Sequence, residues 1–334
     1  MLVVALLFLL SAGAIYLACE YFVNGIEWLG HKLDFGATAT GTVLAAFGTA
    51  LPESAVTFVA VILGRTAQVR DIGVGAALGG PLVLATIAYA VVGIALWSNR
   101  RRLGRNDLCV QVEHARLARD QLWFLSIFVV KCGLGLVAFA FKPWLGVLFL
   151  AAYVFYVWRE LKHGDDGADH EPLEPLMFQR DAATPSLKMV LLQTVLALLV
   201  IAFASHVFVG QIESIGAAMH MPPHLVALVL SPVATELPET MNALIWVRQG
   251  KERLALANIS GAMMIQATIP SALALFATPW MFDRPLIVSG VITTIAIVYL
   301  WWLFHRGRVD GRKLVPVGLL YAVFALYVGW HVLT

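Results

Sequence analysis

Residues 49–53 read Thr-Ala-Leu-Pro-Glu, and residues 235–239 read Thr-Glu-Leu-Pro-Glu, 186 positions further along the chain. The same shift aligns earlier residues, and a shift of 182 aligns later ones, because the first half has four more residues around 64–71. The matching residues are Phe22/Phe208, Val23/Val209, Ile26/Ile212, Glu27/Glu213, Gly30/Gly216, Gly79/Gly261 and Ala85-Thr86-Ile87/Ala267-Thr268-Ile269. Matches at a fixed offset indicate an internal repeat. We therefore predict two related halves.

The composition indicates that both halves lie in a lipid bilayer. Of the 334 residues, 60% are hydrophobic and 13% are Asp, Glu, Lys or Arg, which is about half the charged share of a soluble domain. The mean hydropathy is +0.81. These values exclude a disordered chain and an ordinary cytosolic enzyme. The net charge of +2 argues against a nucleic-acid partner, and the three widely spaced cysteines predict neither a disulfide framework nor a CxxC metal site.

Ten stretches are long and apolar enough to cross a membrane as helices. They lie near 3–29, 36–63, 72–97, 122–141, 143–158, 187–215, 223–247, 254–279, 285–304 and 314–333. Each half has five spans, an odd number, so the second half enters the membrane in the opposite orientation. The prediction is an all-α integral membrane protein with two inverted five-helix repeats. The halves are 1–160 and 187–334, joined by an acidic linker at 161–186.

The Lys and Arg residues between these spans predict the orientation. One set of alternate connections carries 18 of them and the opposite set carries 4. By the positive-inside rule the richer side is cytoplasmic, which places both termini outside a bacterial-type inner membrane. Membrane lipid and inorganic cations are the expected partners, and no feature predicts an oligomeric state. The acidic linker either binds a regulatory cation or is a solvated connection between the halves. We favour the solvated connection, and the linker lacks the spacing of an EF-hand loop.

Glu53 and Glu239 each lie near the middle of a predicted span, directly after a proline. A carboxylate at that depth is costly unless it is paired or solvated, and so indicates a transport path. Since proline removes a backbone donor, helices 2 and 7 are expected to be discontinuous, at 48–51 and 234–237. Freed carbonyls, carboxylates and threonine hydroxyls form the oxygen ligand set that Ca²⁺ prefers. The alternative is a pair of protonated glutamic acids that brace helix contacts.

These motifs resemble the α-repeats of the sodium/calcium exchanger superfamily of cation/Ca²⁺ antiporters. The resemblance is most specific at 36–90 and 222–272. That family has ten helices in two inverted halves, each with a G-T-S-L-P-E type motif and a later G-N-x-x-G-S-N-x-x-N/D motif. Here the first motif reads Gly48-Thr49-Ala50-Leu51-Pro52-Glu53 and Ala234-Thr235-Glu236-Leu237-Pro238-Glu239.

The resemblance implies a role for four residues of the first motif. Glu53 and Glu239 would be the central Ca²⁺ carboxylates, and Thr49 and Thr235 would contribute flanking oxygens. It implies no cofactor and no catalytic residue, only a transported Ca²⁺ and a counter-ion, Na⁺ or H⁺.

The second family motif is only partly present. Residues 75–84 read Gly-Ala-Ala-Leu-Gly-Gly-Pro-Leu-Val-Leu, so both usual Asn positions near its end are apolar. In residues 257–266 only Asn258 and Gln266 keep this polar character. Leu and Met offer no oxygen ligand to a hard cation. The usual coupling to three Na⁺ ions is therefore not expected.

The serine of the first motif is replaced by Ala50 in one half and by Glu236 in the other. Glu236 precedes Glu239 by three residues, which can put both carboxylates on one face. Two carboxylates in one apolar pocket favour a proton that a metal ion can displace. The hypothesis is exchange of a divalent cation against H⁺ or fewer Na⁺ ions. The alternative is that Glu236 forms a salt bridge or faces water.

Other polar residues have less specific roles. Glu20 and His206 occupy equivalent positions on the first helix of each half, where they form either a proton relay or, as we favour, polar contacts facing the bundle. Asn242 lies one turn beyond Glu239 and is placed to orient it. Lys131 lies inside a span, and its long stem can carry the ammonium to the membrane surface.

The predicted function is secondary antiport of Ca²⁺, or a related divalent cation, by alternating access. A channel would need a continuous wet path, whereas the proline breaks indicate an occluded site. The sequence lacks GxSxG, HExxH and GxGD motifs, which argues against a membrane enzyme. The remaining alternatives are a homologue with altered cation specificity and a non-transporting sensor.

Overall fold

The computed structural model describes residues 2–32, 50–102, 104, 107–110, 112–163, 173–182 and 184–333. In this part of the chain the regular structure is helical. The helices are α1 Leu2–Lys32, α2 Leu51–Leu63, α3 Ala67–Asn99, α4 His114–Leu134, α5 Gly146–His163, α6 Leu187–Met219, α7 Pro223–Thr235, α8 Leu237–Arg248, α9 Glu252–Ala277, α10 Arg284–His305 and α11 Val317–Leu333.

Six of the described helical segments are long and apolar enough to cross a membrane. They are α1, α3, α6, α9, α10 and Gly311–Val332, which contains α11. The helical membrane class is thereby confirmed, whereas ten spans in two inverted halves stay a prediction. The predicted span 122–141 has a different extent, because its helix begins earlier and ends at Leu134, where Gly133 and Gly135 flank the last residue.

Prolines and wide turns interrupt the regular helical hydrogen bonding. Pro81 lies inside α3 and is followed by a π-helical turn, Leu84–Ala88. A second π-helical turn, Val59–Leu63, ends α2. Such turns are frequent at functional sites because they redirect side chains within a helix.

Glycines allow α3 and α7 to cross at close range. A Cβ atom at Gly79 would lie 2.5 Å from the ring of Pro232 and 2.6 Å from the carbonyl oxygen of Leu228. A Cβ at Gly75, one turn earlier, would overlap the carbonyl group of His224. Glycines four residues apart are a common device for close helix packing in membranes. The crossing brings the second motif of the first half against the helix that leads to Glu236.

The long helices α1 and α6 pack along each other, and the rings of Phe8 and Phe208 stack with centroids 4.7 Å apart. Part of the acidic linker, residues 173–182, docks on this pair. The indole N–H of Trp28 donates to the carbonyl of Glu174 at 2.8 Å, and Leu176 is fully buried. Within 173–182, Leu176 thus anchors the linker to the bundle while half of the residues are exposed, and the role of the linker as a solvated connection stays a prediction.

Candidate functional site

Glu53 and Glu239 each lie in the first turn of a short helix, α2 and α8 respectively. Both side chains are buried, with 1% and 0% of their surface exposed. The free N–H groups and the dipole at a helix N-terminus favour negative charge. A proline is tolerated as the second residue of each helix, because backbone N–H groups in the first turn have no partner within the helix. The repeated Leu-Pro-Glu sequence therefore places a carboxylate in the first turn of a helix in both halves.

In the second half, the helix that carries the Leu-Pro-Glu sequence is broken at Glu236. This residue has φ −96° and ψ −2°, and it separates α7 from α8. Its N–H still donates to the carbonyl of Pro232 at 2.9 Å, and its carbonyl accepts the N–H of Thr240 at 3.1 Å. The interruption is thus narrower than the predicted 234–237. It turns the buried Glu236 side chain toward the other carboxylates.

The hydroxyl of Thr235 connects the two halves. It lies 2.6 Å from Oε2 of Glu53, 3.2 Å from Oε1 of Glu236 and 3.1 Å from the carbonyl of Ser231. A threonine hydroxyl has a single hydrogen to donate, and three acceptors surround it. The acceptors therefore outnumber the donors at this point.

Gln266 of α9 supplies the other donor. Its amide Nε2 donates to Oε2 of Glu236 at 2.7 Å. Gly80 of α3 makes room for this pair, because a Cβ there would lie 2.7 Å from Oε1 of Gln266 and 3.0 Å from Oε1 of Glu236. A residue of the second motif in the first half thus shapes the site through its lack of a side chain.

Several oxygens of this carboxylate cluster (Glu53, Glu236 and Glu239) have no hydrogen-bond partner within the described residues. They are Oε1 of Glu53 and both carboxylate oxygens of Glu239. Buried acceptors without a partner are uncommon and cost free energy. Among the same residues, no three His, Cys, Asp or Glu side chains are arranged to hold a metal ion. The cluster is a group of buried acceptors poor in donors, and its chemistry is to bind protons or cations.

Other residues predicted for the site lie apart from this cluster. Thr49 falls outside the described residues. Ala50 is buried, but its carbonyl is not freed, because it accepts the N–H and the hydroxyl of Ser54 at 3.2 and 2.9 Å. Asn242 and Asn258 are half-buried. Asn258 lies about 12 Å along α9 from Gln266, at 1.5 Å per residue.

Glu20 and His206 are exposed on the outer surfaces of α1 and α6. The hydrogen-bond partner of Glu20 is Tyr16, on its own helix. The expectation that both residues face the bundle is wrong, because the α1–α6 contact buries other faces of these helices. The described structure does not bring this pair to the carboxylate cluster.

Lys131, in contrast to Glu20 and His206, points into the bundle. Its side chain is fully buried and does not extend to the membrane surface. Its ammonium donates to the carbonyl of Ala77 in α3 at 2.9 Å and lies 5.1 Å from the ring centroid of Phe128. Sequence reasoning missed this contact. The available signal was Pro81, which lacks the N–H that would otherwise bond to the carbonyl of Ala77.

A family model for "Sodium/calcium exchanger protein" matches residues 3–162 and 189–333 of this chain. The chain belongs to the sodium/calcium exchanger family. The predicted resemblance is therefore confirmed, and this exchanger-family protein belongs to a family of membrane cation/Ca²⁺ exchangers.

Individual relatives agree with the family match. Inner membrane protein YrbG of Escherichia coli (strain K12) is 24% identical over 282 residues, which cover 81% of this chain and 80% of that protein. The crystal structure of the H⁺/Ca²⁺ exchanger CAX superposes with a TM-score of 0.76 at 16% identity, over 98% of this chain and 84% of that one. The sodium-calcium exchanger NCX_Mj, soaked with Na⁺ and Sr²⁺, gives a TM-score of 0.59 at 17% identity, over 96% and 97%. At these identities the two structures establish a shared fold.

Proposed function

We propose that this protein exchanges Ca²⁺, or a related divalent cation, across the membrane by alternating access. Glu53 and Glu239 are the central carboxylates that hold the ion near the midplane, and Thr235 adds an oxygen. The observation that carries the proposal is the contact between Thr235 and Glu53, which joins residues 182 positions apart within a buried carboxylate cluster. The repeat adds Thr49 as the counterpart of Thr235.

The donor shortage supports a divalent cation. The carboxylate cluster has six oxygens, and the described donors to them are the Thr235 hydroxyl and the Gln266 amide. Ca²⁺ takes six to eight oxygen ligands and is favoured by several carboxylates. The three oxygens that lack a partner, on Glu53 and Glu239, are available to such an ion.

We propose that the counter-ion is H⁺, or fewer Na⁺ ions than the family norm. Glu236 and Gln266 are the coupling residues, because their side chains bond to each other beside the carboxylates that would hold the divalent ion. The apolar residues of 75–84 provide no amide or hydroxyl ligand for further Na⁺ ions. A proton on the carboxylate cluster would leave when the divalent ion arrives.

We further propose ten spans in two inverted halves, with both termini outside. Three observations support this arrangement. They are the internal repeat, the excess of Lys and Arg on one set of connections, and the helix break at Glu236. In inverted repeats the substrate site lies where discontinuous helices meet near the midplane. Alternating access would then move one group of helices relative to the other around a fixed ion.

The test is ⁴⁵Ca²⁺ uptake into proteoliposomes that contain the full chain, with the Na⁺ and pH gradients varied independently. Glu53→Gln and Glu239→Gln are expected to abolish uptake while the protein stays folded, because an amide keeps the shape and removes the charge. Glu213→Gln, on an exposed glutamate of α6, is the matched control and should behave like wild type.

Two results would contradict the proposal. Normal uptake by either amide variant would remove that glutamate from the site. Uptake that requires a Na⁺ gradient and ignores the pH gradient would exclude coupling to H⁺.

A further inference from the structure

Lys131 places a positive charge in the interior of the helical bundle. Its side chain is fully buried, and within the described residues its ammonium contacts the Ala77 carbonyl at 2.9 Å and the face of the Phe128 ring. A buried ammonium is unfavourable unless nearby groups compensate its charge. One neutral carbonyl and one aromatic ring are weak compensation. The residue therefore needs a further source of negative charge.

The carbonyl of Ala77 is available because of Pro81. In an α-helix this carbonyl would accept the N–H of the residue four positions later, and proline has none. The ammonium of Lys131 takes the place of that donor. A freed carbonyl oxygen inside a membrane protein is also the type of group that binds hard monovalent cations. The contact is thus a cation subsite filled by a side chain.

The subsite lies at the depth of Glu53. Helices α2 and α3 run in opposite directions from the turn at Gly64–Thr66, and both Glu53 and Ala77 are about ten residues from it. The ammonium of Lys131 and the carboxylate of Glu53 interact electrostatically, without a direct ion pair. The carboxylate cluster is therefore the source of negative charge.

A count of charges shows what this ammonium does for the carboxylate cluster. If all three carboxylates are ionised, Lys131 leaves two negative charges, which one divalent cation neutralises. Without Lys131, a bound divalent cation would leave one buried negative charge uncompensated. Such a charge is strongly unfavourable in an apolar interior. A second, monovalent cation would then have to bind with the divalent one.

We propose that Lys131 is a tethered cation that occupies the place of a free monovalent ion beside Glu53, so that the exchange cycle does not use Na⁺ at this position. The inference rests on the proposed role of Glu53 as an ion-binding carboxylate. It makes Lys131 a residue that determines cation selectivity without touching the transported ion.

The first test measures the thermal unfolding midpoint of the purified full chain in NaCl and in choline chloride. Lys131→Met removes the charge and keeps the length of the side chain. This variant is expected to gain a Na⁺-specific rise of about 3 °C, since a ligand that binds the folded state stabilises it. Adding Glu53→Gln should remove the rise. Wild type should lack this Glu53-dependent rise.

Lys142→Met is the matched control. This second lysine is also buried, but its ammonium bonds to the carbonyls of Val137 and Trp280 at 2.7 and 2.9 Å. Its loss should create no Na⁺ dependence. Lys131→Gln, whose amide can still donate to Ala77, is expected to behave like Lys131→Met and keeps the test decisive if the methionine variant does not fold.

The second test is ⁴⁵Ca²⁺ uptake into proteoliposomes. Uptake by Lys131→Met should fall at least about tenfold below wild type in choline and recover when Na⁺ is added, a loss that wild type should not show. The inference would be overturned if Na⁺ had no effect on the unfolding of Lys131→Met and Lys131→Gln. It would also be overturned if Na⁺ stabilised wild type and Glu53→Gln abolished that stabilisation. A Na⁺ shift in Lys131→Met, with no divalent flux in wild type, would overturn the proposed function alone.

Discussion

The hydroxyl of Thr235 touches carboxylates that come from both halves of the chain, Glu53 at 2.6 Å and Glu236 at 3.2 Å. It belongs to the residue just before the helix break, so its position depends on that break. Hydrogen bonds to charged groups in an apolar interior contribute more than those at a surface. The role of this single hydroxyl can be tested separately from that of the glutamates.

Thr235→Val keeps the shape of the side chain and removes its hydroxyl. The concentration of Ca²⁺ that gives half-maximal uptake is expected to rise about tenfold or more, because the loss of a hydrogen bond to a charged group costs about 1.5–3 kcal/mol. Thr235→Ser retains the hydroxyl and should stay close to wild type. Equal Ca²⁺ dependence in the valine variant and wild type would show that the hydroxyl does not contribute to ion binding.

At the scale of elements, α7 is held at both ends. Its C-terminal end stops at Glu236, where the chain turns into α8. Near its N-terminal end, Nε2 of His224 lies 2.6 Å from Oδ2 of Asp283, and the other oxygen of Asp283 accepts the N–H of Leu286 at the start of α10. One carboxylate therefore caps α10 and joins it to α7.

Asp283 predicts a pH-dependent contribution to stability. Partial burial acts to raise the pKa of Asp283, but the hydrogen bond and charge of His224 outweigh it and lower the pKa below 3.8. Because the folded pKa is the lower one, Asp283 stabilises the folded state above pH 3.8, and this contribution is lost as the pH falls through the folded pKa. Asp283→Asn should lower the unfolding midpoint at pH 7, and the difference from wild type should shrink at acidic pH.

Asp310→Asn is the control for this measurement, because Asp310 caps another helical turn through the N–H of Arg312. It separates the loss of a capping carboxylate from the loss of the link to His224. A difference between wild type and Asp283→Asn that stays constant down to the acidic limit would contradict the role of the ionised carboxylate.

At the scale of the whole molecule, the two halves depend on each other for the site. The first half supplies Glu53, Gly80 and Lys131, and the second supplies Thr235, Glu236, Glu239 and Gln266. Glu53 takes its hydrogen-bond donor, the Thr235 hydroxyl, from the other half, whereas Glu236 is bonded to Gln266 and Thr235 of its own half. An exchange mechanism in which the halves move relative to each other would therefore change the site directly.

The proposed orientation predicts the behaviour of reporter fusions. Alkaline phosphatase fused after the C-terminus or after Lys142 should be active, because it folds outside the inner membrane. A fluorescent protein inserted after Gly104 should be fluorescent, because the Arg-rich connection between the predicted spans 72–97 and 122–141 is expected to be cytoplasmic. The reverse pattern at these positions would invert the proposed topology, and equal signals for both reporters would contradict a single orientation.

Much of this architecture was predictable from local rules. Hydropathy predicted the membrane class, which the helices and the family match confirm. Proline chemistry predicted the interruption near Glu236, and the sequence placed Glu53 and Glu239 inside spans. Such features depend on residues close together in the chain, so they can be read without knowing the fold.

The pairing of side chains was decided by the tertiary structure. The bond from Thr235 to Glu53, the inward direction of Lys131 and the outward direction of Glu20 depend on how distant helices are rotated against each other. Gly79 allows α3 to approach α7 closely, and Gly80 leaves room for the pair of Glu236 and Gln266. Periodicity along one helix shows which residues share a face, but only packing between helices determines what that face meets.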